Sequence, residues 1–174
     1  MKIRNWREDD LPVLREILVD SFGGVSIDEG IEERFGEING RDWRWRKARH
    51  LDDDLRRPEA AIFVMEEGER IVGFISTWID REAGIGQIPN LSIREEYRGR
   101  GGGRRLIEYA LDHFRDRGVT HAKIETLAQN DIGRHLYPSV GFREVARQIH
   151  FVAELTRDGA GGDEGSSTSP KRTG

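Results

Sequence analysis

The sequence predicts an α/β fold of the α+β kind, in which helices precede a meander of short strands and a strand, glycine loop and helix follow it. Three observations carry that prediction. Apolar residues recur at helical spacing between residues 11 and 22, the texture changes to short β-rich runs from Ala60 onward, and residues 104–117 gather their apolar side chains on one face. A doubly wound parallel sheet would alternate strand and helix from the start.

Residues 1–6 alternate weakly. Glu8-Asp9-Asp10 then supplies the acidic residues favoured at a helix N-terminus, with Pro12 tolerated in the first turn. Leu11, Leu14, Leu18 and Phe22, joined by Ile17, make one helical stripe that Gly23-Gly24 ends. Residues 25–57 read as one or two further helices, interrupted by Gly30, Gly36 and Gly40. The runs 60–66, 71–79 and 87–93 read as an antiparallel meander, turning first at Glu67-Gly68. Pro89 cannot donate to a ladder, so the last of these strands should be bulged or unpaired on one side there. The helix over 104–117 stops at Gly118; a strand over 122–127, a short helix near 131–138 and two closing strands ending about Leu155 complete the expected fold.

With 174 residues the chain suits one domain, placed at 1–156, and the Gly, Ser, Thr and charge of 157–174 predict a disordered tail that cannot bury a core. The longest purely apolar stretch, Ala60 to Met65, is far too short for a membrane span, and the start carries no signal-like segment, so the expectation is a cytoplasmic protein without a membrane partner. The absence of cysteine excludes thiol nucleophiles, disulfides and thiolate metal sites, and the five histidines show no ligand spacing, so no metal is expected. A net charge of −4 argues against a general nucleic-acid binder. Trp43 and Trp45 lie among Arg41, Arg44, Arg46, Lys47 and Arg49, a mixture that could touch nucleic acid. Because Asp52-Asp53-Asp54 follows at once, the favoured reading is a solvated helix with its tryptophans packed inward or lining a cleft.

The segment Arg98-Gly99-Arg100-Gly101-Gly102-Gly103 joins a strand to the amphipathic helix, so backbone N–H groups and the positive end of the helix dipole converge where a phosphate could sit. Glycines let an anion approach the amides, and Arg98, Arg100 and Arg104 add charged donors. No Gly-Lys-Ser/Thr follows, which excludes a P-loop. The dinucleotide fingerprint fails as well, because Arg104 stands where its third glycine belongs. A glycine-rich turn without a ligand is the remaining alternative.

Arg98-x-x-Gly101-x-Gly103 resembles the signature of the GNAT superfamily of acyl-CoA-dependent N-acetyltransferases. The resemblance extends through Leu91-Ser92-Ile93, Asn130, Leu136-Tyr137 and Gly141-Phe142, and so covers about residues 87–142. It implies a mixed, mostly antiparallel sheet with helices on both faces, whose fourth and fifth strands splay apart to admit the pantetheine arm of acetyl-CoA. Cosubstrate binding would then fall to Leu91, Ser92, Ile93, the loop from Arg98 to Arg104 with Gly99, Arg100, Gly101, Gly102 and Gly103, and Asn130.

In the reaction this implies, an amine attacks the thioester directly. The oxyanion takes a backbone N–H of Leu91 to Ile93, and the departing sulfur takes a proton from Tyr137, a phenol of ordinary pKa about 10. Where some relatives of this family carry a glutamate base this chain has Gln87, which cannot accept the proton, so Glu125 on the next strand is the substitute candidate beside a water-mediated route. Phe22, Phe35, Trp43 and Trp45 are candidates for the acceptor's walls. The expected partner is an amine on a small molecule, peptide or protein; the chain itself is expected as a monomer or homodimer. A catalytically silent CoA-binding sensor is the alternative.

Overall fold

A computed structural model describes residues 1–155; the expected tail at 157–174 lies outside them. Five strands, β1 (Lys2–Asn5), β2 (Ala61–Glu67), β3 (Arg70–Asp80), β4 (Ile85–Ile93) and β5 (His121–Ile124), stand in sequence order in one sheet. The first four are antiparallel, and β5 runs parallel to β4. Helices α1 (Leu11–Phe22), α2 (Ile27–Phe35) and α3 (Trp43–Leu55) precede the meander, α4 (Gly102–Asp116) links β4 to β5, and α5 (Asp131–Ser139) follows. The mixed, mostly antiparallel sheet expected of the resemblance is therefore present.

Each face of the sheet buries one helical stripe. Leu14, Ile17 and Leu18 of α1 are fully buried with Leu51 of α3 against Ile62, Val64 and Phe74, each such side chain contributing about 1.5–3 kcal/mol. On the other face Leu106, Ile107, Ala110 and Phe114 of α4 pack on Phe63, Met65, Ile75 and Ile88. Arg4 clasps the N-terminus to this frame, bonding Asp10 at 2.7 Å and Glu66 at 2.6 Å.

Four departures from the sequence reading bear on the site and its surroundings. Gly30 lies inside α2, and only Gly36 and Gly40 fall in the break before α3. α4 begins at Gly102, two residues early, because both glycines enter its first turn. β5 ends at Ile124 instead of Leu127. No closing strands form within 142–155: their alternation is strand-like, but nothing pairs there with the outer edge of the short β5, and Val145, Ile149, Phe151 and Leu155 are left exposed.

Candidate active site

β4 and β5 pair at only four positions, from Ile85 opposite His121 to Ile88 opposite Ile124. Pro89 follows immediately. Ser76 is opposite Asn90 and Trp78 opposite Gln87, so Ile88 and Pro89 together face the single residue Thr77. This is the bulge that a proline in a central strand demands. Beyond it β4 keeps β3 and loses β5, and a seam opens.

Strand alternation decides what the seam offers. The amide of Arg94 donates to the Val72 carbonyl at 2.9 Å, so the backbone of Ser92 faces β3, whereas that of Leu91 and Ile93 faces the open side. The Ile93 carbonyl accordingly accepts from Arg98 Nε at 3.2 Å, and the Leu91 N–H is left as a donor toward the seam. The side chains of Leu91 and Ile93 pack on the α4 cluster, while the buried Ser92 Oγ has no partner among the described residues.

The glycines of the loop divide their work. Gly99 and Gly101 take φ of +75° and +77°, left-handed backbone that a side chain disfavours. Gly102 and Gly103 begin α4 where a Cβ would stand 3.2 Å from Met65 Sδ and 3.2 Å from Leu136 Cδ2, respectively. The first-turn amides of α4 have no intrahelical acceptors and point out of its positive end. The flanking arginines leave this spot open: Arg100 stacks over Tyr97 at 5.0 Å, and Arg104 reaches Ser139 Oγ at 2.8 Å, tying the loop to α5.

Asn130 is the N-cap of α5, its Oδ1 accepting from the Gly133 amide at 3.1 Å and its Nδ2 donating to Thr126 at 2.8 Å. It fixes the helix that carries Tyr137. Tyr137 packs against Phe142 with ring centroids 6.3 Å apart, and burial pushes its phenol up to about 12, so it holds its proton at neutral pH. Glu125 follows the end of β5, is 66% exposed and is ion-paired with Lys123.

The structure adds residues that the sequence reading did not single out. On the α1–α3 face, Lys47 Nζ donates to Asn90 Oδ1 at 3.2 Å and lies 3.6 Å from the centre of the Phe22 ring. Asp54 accepts from Asn90 Nδ2 at 2.6 Å and Ser76 Oγ at 2.8 Å. Burial draws Lys47 down to about 8 and raises Asp54 above the usual carboxylate range; His50, beside Asp28 at 3.3 Å, is lowered by burial and by Lys47. The signal was present, since Lys47, Leu51 and Asp54 share one helical face, but the acidic triplet reads on its surface as an offset to the arginines. Of the expected cleft walls, Trp43 is buried, Trp45 lies exposed between Arg41 and Arg49, Phe22 meets Lys47, and Phe35 stands away near Val152 to Leu155.

The model of the family described as acetyltransferase (GNAT) matches residues 12–142. The ribosomal protein bS18-alanine N-acetyltransferase of Escherichia coli is 32% identical over 106 residues, covering 56% of this chain and 70% of that protein. The mycothiol acetyltransferase of Propionibacterium freudenreichii is 25% identical across 98% of this chain, which spans only about half (51%) of that relative. Among solved structures, PaiA N-acetyltransferase from Thermoplasma acidophilum in complex with coenzyme A has a TM-score of 0.63 at 20% identity, covering 82% of this chain and 89% of that one, a likeness of fold.

Proposed function

The chain belongs to the acetyltransferase (GNAT) family and is an acyltransferase, and from that premise we propose that it moves an acetyl group from acetyl-CoA to a primary amine by direct attack. The observation that carries this reading is the seam: β4 parts from β5 at Pro89, and the glycine loop opens at its edge with its amides free. Residues fit the cosubstrate. Gly99 and Gly101 supply the left-handed backbone, the α4 amides with Arg98, Arg100 and Arg104 favour a diphosphate, and Leu91 and Ile93, on either side of Ser92, turn the strand edge that β5 leaves unpaired toward an amide-bearing arm. Asn130 contributes by holding α5 in place.

The Leu91 amide is the donor for charge developing on the carbonyl oxygen. Tyr137, protonated throughout the neutral range, gives a proton to the departing sulfur. Glu125 is the base candidate carried from the sequence. The domain is taken as 1–156, and the acceptor as an amine on a small molecule or a peptide, the E. coli relative's name being that of an enzyme acting on a protein alanine.

Calorimetric titration with acetyl-CoA and release of free CoA across a panel of peptide, polyamine and aminoglycoside amines test this. Micromolar binding with turnover of at least one amine is expected. Binding without any turnover would instead favour a silent CoA sensor.

A further inference from the structure

A carboxylate enclosed by protein is stable only when bonded, and one that keeps an oxygen free beside an opening is placed for chemistry. Asp54 is half-buried and keeps such an oxygen. Both of its hydrogen bonds, from Ser76 and Asn90, go to Oδ2, and Oδ1 accepts none from the described residues. Asn90 stands two positions beyond Ile88, the last residue of β4 that pairs with β5, so the carboxyl group is tethered to the strand where the seam opens. Asn90 also receives Lys47 Nζ, so one carboxamide sets the positions of an acid and an amine together.

Resting on the acyl-transfer reading above, we propose that Asp54 takes the proton from the acceptor ammonium, the role for which Glu125 was the sequence candidate. The acceptor arrives as an ammonium with three protons. One passes to Asp54 and freezes out no charge, since the carboxylate becomes a neutral acid as the ammonium becomes an amine. The amine nitrogen then bonds to the acetyl carbon, the carbon–sulfur bond breaks as Tyr137 protonates the sulfur, the second ammonium proton restores the Tyr137 phenol, and the third stays on the amide. Asp54, half-buried, returns its proton to solvent.

The surroundings suit this exchange. Burial raises the Asp54 carboxyl toward the working range, opposed by the hydrogen bonds of Ser76 and Asn90 and by the positive charges of Lys47 and Arg57. From β3 and β4 the groups that bond it are the neutral Ser76 and Asn90. Asp28 of α2 and His50, one turn earlier on α3, act on it through Lys47. Lys47 in turn disfavours a second positive charge nearby, so an ammonium brought to Asp54 gives up its proton more readily. Glu125 lacks such an environment, being largely exposed and already engaged by Lys123.

Steady-state kinetics decide the matter, with the amine that the panel selects, on wild type, Asp54→Asn, Asp54→Glu and Glu125→Gln from acid to mildly alkaline pH. Asp54→Asn should lower kcat by about 10²–10⁴-fold and erase the acidic limb of kcat/KM, with acetyl-CoA affinity kept and Asp54→Glu recovering part of the rate. If Asp54→Asn does not fold, Asp54→Glu carries the test: a displaced limb supports the assignment and an unmoved limb overturns it. A folded Asp54→Asn with the wild-type rate and limb, or the loss appearing only in Glu125→Gln, also overturns it while leaving the enzyme reading intact. A wild type that turns over no amine defeats both.

Discussion

The two faces of the sheet meet at β4 and are built from different material. On the α4 face the packing is apolar from Phe63 to Phe114 and ends in a loop of glycines. On the α1–α3 face the apolar cluster stops at Phe74, and the next inward positions are Ser76 and Asn90 with Lys47 and Asp54 bonded across them. The contrast matches two demands of one reaction. Holding a diphosphate needs fixed backbone donors, which a rigid apolar face keeps in place at no cost in charge. Moving a proton needs groups that titrate, and only a polar interior changes their pKa values without leaving them unbonded.

The largest effect should come from breaking the rigid face. Gly101→Val puts a branched side chain on a residue at φ +77°, strain of about 1–2 kcal/mol, although no atom lies within 4 Å of the new Cβ. The loop must shift, and the lost amide bonds should weaken acetyl-CoA binding by about 100-fold, read by calorimetry. The fold survives, with Tm lower by about 2–8 °C. Retained affinity would remove the loop from phosphate binding.

Tyr137→Phe acts on the same side of the sheet but on chemistry alone. The ring keeps its packing on Phe142, so acetyl-CoA affinity should stay near wild type while kcat falls by about 10–100-fold, at or below the low end of the usual 10²–10⁴ for acid catalysis because a thiolate leaves readily. Unchanged kcat in single-turnover measurements, where product release does not limit the rate, would take Tyr137 out of the mechanism.

The same contrast explains how much was legible in the sequence. The α4 face announces itself: Leu106, Ile107, Ala110 and Phe114 repeat at helical spacing, the glycines mark the loop, and Pro89 marks the bulge two residues before the splay matters. These are local signals, each written within a few residues. The polar cluster is not local. Helical spacing puts Asp54 on the face of Lys47 and Leu51, but Asn90 is 36 residues from Asp54 and 43 from Lys47, so no window of sequence shows that the three side chains meet. The closing strands failed for the related reason that alternation states a preference, whereas a strand exists only where an edge receives it.

The smallest effect separates the faces most finely. Ser76→Ala deletes one hydroxyl that donates to Asp54 and leaves the sheet and the glycine loop untouched. That hydrogen bond favours the ionised carboxylate, so its loss moves the Asp54 pKa further above its ordinary value. A carboxyl raised in the folded state contributes stability at low pH that is lost as pH rises through the folded pKa; this loss should therefore come at higher pH in Ser76→Ala than in wild type. The acidic limb of kcat/KM should move in the same direction, because a base with a higher pKa needs a higher pH to be free. At the alkaline plateau kcat should change little and acetyl-CoA affinity not at all. A limb that stays in place while thermal stability alone changes would make Ser76 a packing residue and would separate Asp54 from the titration that governs turnover.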